Sequence, residues 1–324
     1  MRVIDLFCGC GGFSQGMINA GYDVVASYDN WEPAINVYRD NFKHRVNNID
    51  LQNISEEELR KMKQLNADLI IGGPPCQDYS SAGNRDENGG RADLTISFAK
   101  IIRYIKPKYF IMENVDNISK YKILIKTKEI FKELEYGLTE VVLDASYYGV
   151  PQARKRYFLV GELGGKDNSL EKYLISNKSS KKMTVRDYLG DSLGIESYYR
   201  HPRSYKRRGI FSIDEPSPTI RGVNRPIPPT YRKHPGDRCD TLEGVRALTT
   251  IERSYIQTFP KNFIFKGTKT NLEQMIGNAV PVNLATHIGK SLIAYINDKN
   301  KNKVEKYKIE QLTLSMDKLA ITKE

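Results

Sequence analysis

Six short apolar runs, at residues 3–7, 23–28, 67–71, 109–112, 139–143 and 157–161, alternate with stretches of helical period. No other feature constrains the fold as much. Strands interleaved with helices predict an α/β fold with a doubly wound, mostly parallel sheet, because each parallel step needs a crossover that a helix supplies. With 324 residues the chain can bury the core of one large domain or two smaller ones.

The turns between these runs carry the chemistry. After the first strand, Cys8-Gly9-Cys10-Gly11-Gly12 turns tightly into a helix opening at Phe13. Such a turn lets backbone amides approach a ligand, although dinucleotide enzymes, nucleoside-ligand enzymes and plain tight turns all share it. Asp29 ends the second strand, where a carboxylate can accept from both ribose hydroxyls of a nucleoside. Glu32-Pro33 starts the next helix. Asp50-Leu51 follows in a connection, and the carboxylate there either meets an adenine amino group or caps a turn. Residues 55–59 read as a capped surface helix.

The third apolar run leads into Ile70-Ile71-Gly72-Gly73-Pro74-Pro75-Cys76-Gln77, which presents a thiol on stiffened backbone at the mouth of the sheet. Residues 80–91 are polar and aperiodic, which suits a lid. Leu94, Phe98, Ile101, Ile102 and Ile105 form one helical face, a core stripe that Pro107 ends. The fourth run ends in Glu113-Asn114-Val115, at the strand ends where open α/β sheets gather ligands. A helix through Ile130, Phe131 and Leu134 is expected to stop at Gly137. In Gln152-Ala153-Arg154-Lys155-Arg156 the two arginines point the same way from extended chain.

Beyond Gly164 the pattern changes. A polar loop over 168–182 and a short helix over 184–189 lead to a stretch of short strands broken by proline and glycine. Arg200, Arg203, Arg207, Arg208, Arg221, Arg225 and Arg232 gather there with Tyr198, Tyr199, Tyr205 and Tyr231 interleaved. Basic groups mixed with aromatics form the footprint of a nucleic-acid face. The formal net charge of +11 agrees with a polyanionic partner. A helix is expected from Arg246, a turn over 274–281 and an apolar helix over 282–296; the lysine-rich remainder suggests no role. Boundaries are expected at 1–190, 191–269 and 270–324. The four cysteines and four histidines show no metal-ligand spacing, so no metal is expected. No apolar run spans a bilayer and the N-terminus lacks signal-peptide features, which points to a soluble cytoplasmic protein.

Taken in order, these segments resemble the motif series of cytosine-5 DNA methyltransferases of the bacterial restriction-modification type. The series comprises Phe7-x-Gly9-x-Gly11-Gly12, Pro74-Pro75-Cys76-Gln77, Glu113-Asn114-Val115, Gln152-x-Arg154-x-Arg156, Arg246-x-Leu248-Thr249 and Gly277-Asn278. The basic segment lies where that family has its target-recognition domain. The resemblance implies S-adenosylmethionine as cofactor, with S-adenosylhomocysteine as product. Its binding residues would be Phe7, Gly9, Gly11, Gly12, Asp29, Asn30, Asp50, Leu51, Pro74, Leu94, Asn278 and Val280. Asp29 replaces the family's usual glutamate, and Asn30 stands where an aromatic is common, with Trp31 one place later. Double-stranded DNA is the implied partner, met by Ser80, Thr219, Ile220, Arg221 and Arg225. A monomer is expected, paired functionally with a restriction endonuclease but not in a stable complex. The alternatives are transfer RNA, used by a branch of the family, and a non-catalytic DNA-binding protein on the same fold.

Methylating carbon 5 of cytosine requires a nucleophile to add at carbon 6 and make the ring an enamine. Cys76, as thiolate, is assigned that part. By resemblance Glu113 supplies a proton or hydrogen bond at ring nitrogen 3, and Arg154 and Arg156 hold the base's carbonyl oxygen and neighbouring acidic groups or phosphate. The base must be flipped out of the duplex to be reached. Cys8, Cys10 and Cys239 read as inert packing.

Overall fold

The computed structural model describes residues 1–75, 93–204 and 206–321, the side chains of Asp93 and of residues 303–321 excepted. Cys76, Gln77, Ser80, the whole expected lid and Tyr205 lie outside the described residues. The chain runs β1 (Arg2–Leu6), α1 (Gly12–Asn19), β2 (Asp23–Asp29), α2 (Glu32–Asn41), β3 (Arg45–Asn48), α3 (Glu56–Gln64) and β4 (Leu69–Gly72). It continues with α4 (Asp93–Ile105), β5 (Tyr109–Val115), α5 (Lys122–Glu133), β6 (Tyr136–Asp144), β7 (Gln152–Ala153) and β8 (Lys155–Leu163).

Seven of these strands form one sheet in the order β3-β2-β1-β4-β5-β8-β6. Pairing is parallel from β3 to β5. β8 then runs antiparallel to both β5 and β6. Side-chain alternation explains why both faces are covered. Val3, Ile71, Ile111 and Val160 pack on one face with Phe13 and Met17 of α1. Ile4, Ile70, Phe110 and Leu159 point the other way, against Phe98 and Ile102 of α4 and Phe131 of α5. The doubly wound, mostly parallel sheet is therefore present.

The remaining elements are α6 (Glu171–Leu174), α7 (Val185–Leu189), β9 (Ser197–Tyr199), β10 (Ile210–Ser212), β11 (Ser217–Pro218), β12 (Arg246–Ala247), α8 (Thr250–Ile256), α9 (Lys269–Asn278) and α10 (Val282–Ile321). β10, β9 and β12 make a small sheet, and β11 pairs with β7. The basic segment has no isolated core: Tyr198, Phe211, Ile213 and Ile220 share one cluster with α2 and α9.

Four local expectations are corrected. Gly137 lies inside β6 and does not end α5, which stops at Glu133; the reversal occurs at Glu135, which takes a left-handed φ of 64°. Arg246 and Ala247 are strand, and the helix begins only after Thr249, whose side chain and Glu252 form a reciprocal capping box. Residues 274–278 are the end of helix α9, capped by Thr268 and held by buried Leu272, Met275 and Ile276. The last helix continues to Ile321, well past its apolar stretch. Its Tyr295 and Lys299 reach Glu162 on β8, at 2.7 and 2.6 Å.

Candidate active site

The site forms where β1 and β2 end and the β4 and β5 ends stand beside them. The turn after β1 has left-handed φ at Phe7 (58°), Gly9 (53°) and Gly11 (95°). Gly12 permits a close approach that no other residue would: a Cβ there would stand 2.4 Å from the Val280 carbonyl oxygen. This contact sets the end of α9, where Asn278 is exposed, and the loop after it, where Val280 is buried, directly against the turn. Asp29 braces the other side. Its Oδ2 accepts from the Gly9 amide at 2.8 Å and its Oδ1 from the Trp31 amide at 2.9 Å. Burial raises its pKa, and those backbone N–H groups oppose the rise.

The neighbouring residues divide. Asn30 is exposed, whereas Trp31 packs against the core formed around α2. Asp50 caps its own turn, accepting from the Gln52 amide at 3.0 Å and the Asn53 side chain at 2.8 Å. Leu51 is buried, and Leu94 is half-buried at the start of α4. Beneath the turn lies a network the sequence did not reveal, since nothing in the spacing joins its members. Tyr38 donates to Ser14 at 2.7 Å and Ser14 to Asp5 at 2.6 Å, while the Tyr38 hydroxyl also lies 2.6 Å from His44. Burial pushes the Asp5 carboxyl up to about 7. The buried Cys8 and Cys10 thiols are also pushed up, Cys10 to about 12, so both stay protonated as packing groups.

The second half of the site centres on Glu113, only 8 % exposed at the end of β5. Its Oε1 accepts from Arg156 Nε at 2.8 Å. Burial raises its pKa, and the charges of Arg156 and Arg154 pull it back. The chain leaving β4 is fitted to this group. A Cβ on Gly73 would lie 3.1 Å from Glu113 Oε2, and Asn114 Nδ2 donates to the carbonyl of buried Pro74 at 3.3 Å. Pro75 beside it is exposed. The segment that continues into Cys76 is thus anchored on the acid.

Arg154 and Arg156 do not share a task in this geometry. Arg154 is 1 % exposed and donates to the carbonyls of Ile220, Gly277 and Ala279, each at 3.1 Å. Its charge also acts on Glu113, lowering that carboxyl's pKa. Gln152, quoted in the motif without a role, is fully buried. It donates to Gln257 at 2.8 Å and accepts from the Ile220 amide at 2.8 Å.

A family model described as C-5 cytosine-specific DNA methylase matches residues 1–294. The chain belongs to that family. It is 58 % identical over 299 residues to the Type II methyltransferase M.HindV of Haemophilus influenzae, covering 91 % of this chain and 97 % of the relative. To M.HgiDI of Herpetosiphon aurantiacus it is 54 % identical over 297 residues, covering 92 % and 96 %. Its fold is similar to the crystal structure of the Schizosaccharomyces pombe Dnmt2 methyltransferase, with a TM-score of 0.66 and 16 % identity over 92 % of this chain and 99 % of that one.

In this methylase the expected DNA-facing stretch is partly internal. Ile220 is buried and its amide and carbonyl are engaged by Gln152 and Arg154. Thr219 donates through its hydroxyl to the Ala153 carbonyl at 2.9 Å. Arg221 is half-buried and Arg225 exposed. Thr219 and Ile220 therefore stitch the basic segment to β7 and to Arg154, which leads into β8 and Arg156. Among the described residues no cluster of His, Cys, Asp or Glu could hold a metal, and no helix is long and apolar enough to cross a membrane.

Proposed function

We propose that the methylase transfers the methyl group of S-adenosylmethionine to carbon 5 of a flipped cytosine in a short duplex sequence, and so protects host DNA from a companion endonuclease. The observation carrying this reading is the seating of Gly73 and Pro74 on the Glu113–Asn114 end of β5, with Arg156 on the same carboxyl. The nucleophile's segment and the acid are held together before any substrate arrives.

The residues present fit the cofactor. The turn from Phe7 to Gly12, with open space beside Gly9, offers backbone to its carboxyl end, and Asp29 keeps lone pairs for ribose hydroxyls. Asn30, Asp50, Leu51, Pro74, Leu94, Asn278 and Val280 would complete the cradle. When bound, the cofactor supplies an electrophilic methyl group. Cys76 adds to carbon 6 of the cytosine. Glu113 holds a proton at ring nitrogen 3, a part that its buried position favours. Arg156 orients that carboxyl and the base's carbonyl oxygen, while Arg154 fixes the surrounding backbone. Loss of the carbon-5 proton and elimination of Cys76 then release the product. Ser80 would meet a target phosphate. A monomer suffices for every step.

Bisulfite sequencing of DNA from a bacterial host expressing the chain, beside a Cys76→Ser control, tests this reading. Protected cytosines should recur in one short sequence and vanish in the control. Protection absent from DNA but found on RNA would replace the substrate.

A further inference from the structure

The small sheet and the turn after β11 enclose a recess lined by Arg200, Arg221 and Arg253, with Tyr199, Asn224 and Leu248. The three cations are treated differently. Arg253 is buried and paired with Glu273, and it also donates to the Arg221 carbonyl. Arg200 and Arg221 have no ion-pairing carboxylate among the described residues. Arg200 Nη2 donates to the Thr219 carbonyl at 3.0 Å and Arg221 Nη2 to the His201 carbonyl at 2.5 Å. Burial, then repulsion from Arg221 and Arg203, lowers the Arg200 pKa to about 10. Two half-buried guanidiniums that repel each other and meet only carbonyls are compensated best by an anion bound between them.

The shape decides which anion. Base edges lie on the floor of a groove and are read by side chains that project into it, as exposed Arg225 could. Backbone phosphates stand out from the duplex, and the recess, with room of about 20 Å³, admits a single one of their oxygens. We infer that Arg200 and Arg221 grip one backbone phosphate of the target duplex and thereby set the register of the flipped cytosine. This rests on the DNA-methylating function proposed above. The register follows from the bonding around the recess. Thr219, which receives Arg200, is bonded to Ala153, and Ile220, which precedes Arg221, is held by Gln152 and Arg154. Those residues lead directly into Arg156 on Glu113. Arg200 and Arg221 are thus positioning residues, acting through the strand that carries the acid's partner.

The test uses full-length protein and target duplexes in which single phosphates near the cytosine are replaced, one at a time, by neutral methylphosphonates. Wild-type binding should weaken on the order of tenfold at one position. Arg200→Ala should be weaker on native DNA, insensitive at that position alone, and lower in salt slope by about 1. Thermal melts and cofactor affinity check its fold, and Arg200→Lys should restore part of the sensitivity. Should Arg200→Ala not fold, Arg200→Gln, which keeps the stem, takes its place. Full sensitivity of the variant at every phosphate would overturn the inference. So would lost discrimination against mismatched duplexes with an unchanged salt slope, which marks base reading. A wild type indifferent to every single neutral phosphate overturns it without any variant. Failure to methylate any duplex would instead refute the proposed function.

Discussion

The glycine-rich edge of the sheet and the basic segment handle polar groups in opposite ways. At the sheet edge the charges of the site are met locally: Asp29 by two amides and Glu113 by Arg156. In the basic segment Arg200 and Arg221 converge with only carbonyls to receive them. In the proposed function the first arrangement keeps a reaction geometry fixed before substrate arrives. The second keeps positive charge available for a polyanion. One molecule thus separates preorganised chemistry from deferred electrostatics, and Gln152 and Arg154 join the two.

The comparison can be broken at several points, from the largest effect downward. Cys76→Ser should abolish methylation while leaving DNA and cofactor binding intact; an active variant would remove the nucleophile from the account. Glu113→Gln should lower kcat by roughly 10²–10⁴ with little change in duplex affinity. Equal loss of affinity would show that the two regions are not separable. Glu273→Ala strands Arg253 in the interior and should cost about 3–5 kcal/mol in denaturant unfolding. A cost near zero would mean that the recess is not built on that pair. Arg225→Ala, on the surface, should reduce the salt slope of binding by about 1 or narrow sequence discrimination, without touching stability.

A pH prediction follows for the sheet edge alone. The Asp5 carboxyl is raised to about 7, so the folded state holds that proton more tightly than the unfolded chain, with its ordinary value of about 4. Its contribution is complete below about 4 and is lost as the pH climbs toward 7. Asp5→Asn should flatten the decline in stability over that window, and an unchanged profile would place the titration elsewhere.

Much of the sheet edge was legible in the sequence because local signals there agree. The apolar runs, the glycines of the turn and the double proline each demand what the fold supplies. The basic segment was legible only as composition. Its strands have two or three residues, too short for periodicity, and its core is borrowed from α2 and α9. The same reason hid the division between Arg154 and Arg156. Alternation puts both on one side of the chain, but only long-range contacts with Ile220, Gly277 and Ala279 show that the first is a clamp. The helical end at Asn278 reads as a turn in the sequence because its cap, Thr268, stands ten residues upstream.

The most direct test of the central claim is to trap the covalent step. With S-adenosylmethionine and a target duplex carrying 5-fluorocytosine, the carbon-5 substituent cannot leave as a proton, so elimination of the thiol is blocked. The account predicts a protein–DNA species that survives denaturation and maps by mass spectrometry to the peptide containing Cys76. A duplex that is turned over without such a species, or an adduct on another residue, would contradict it.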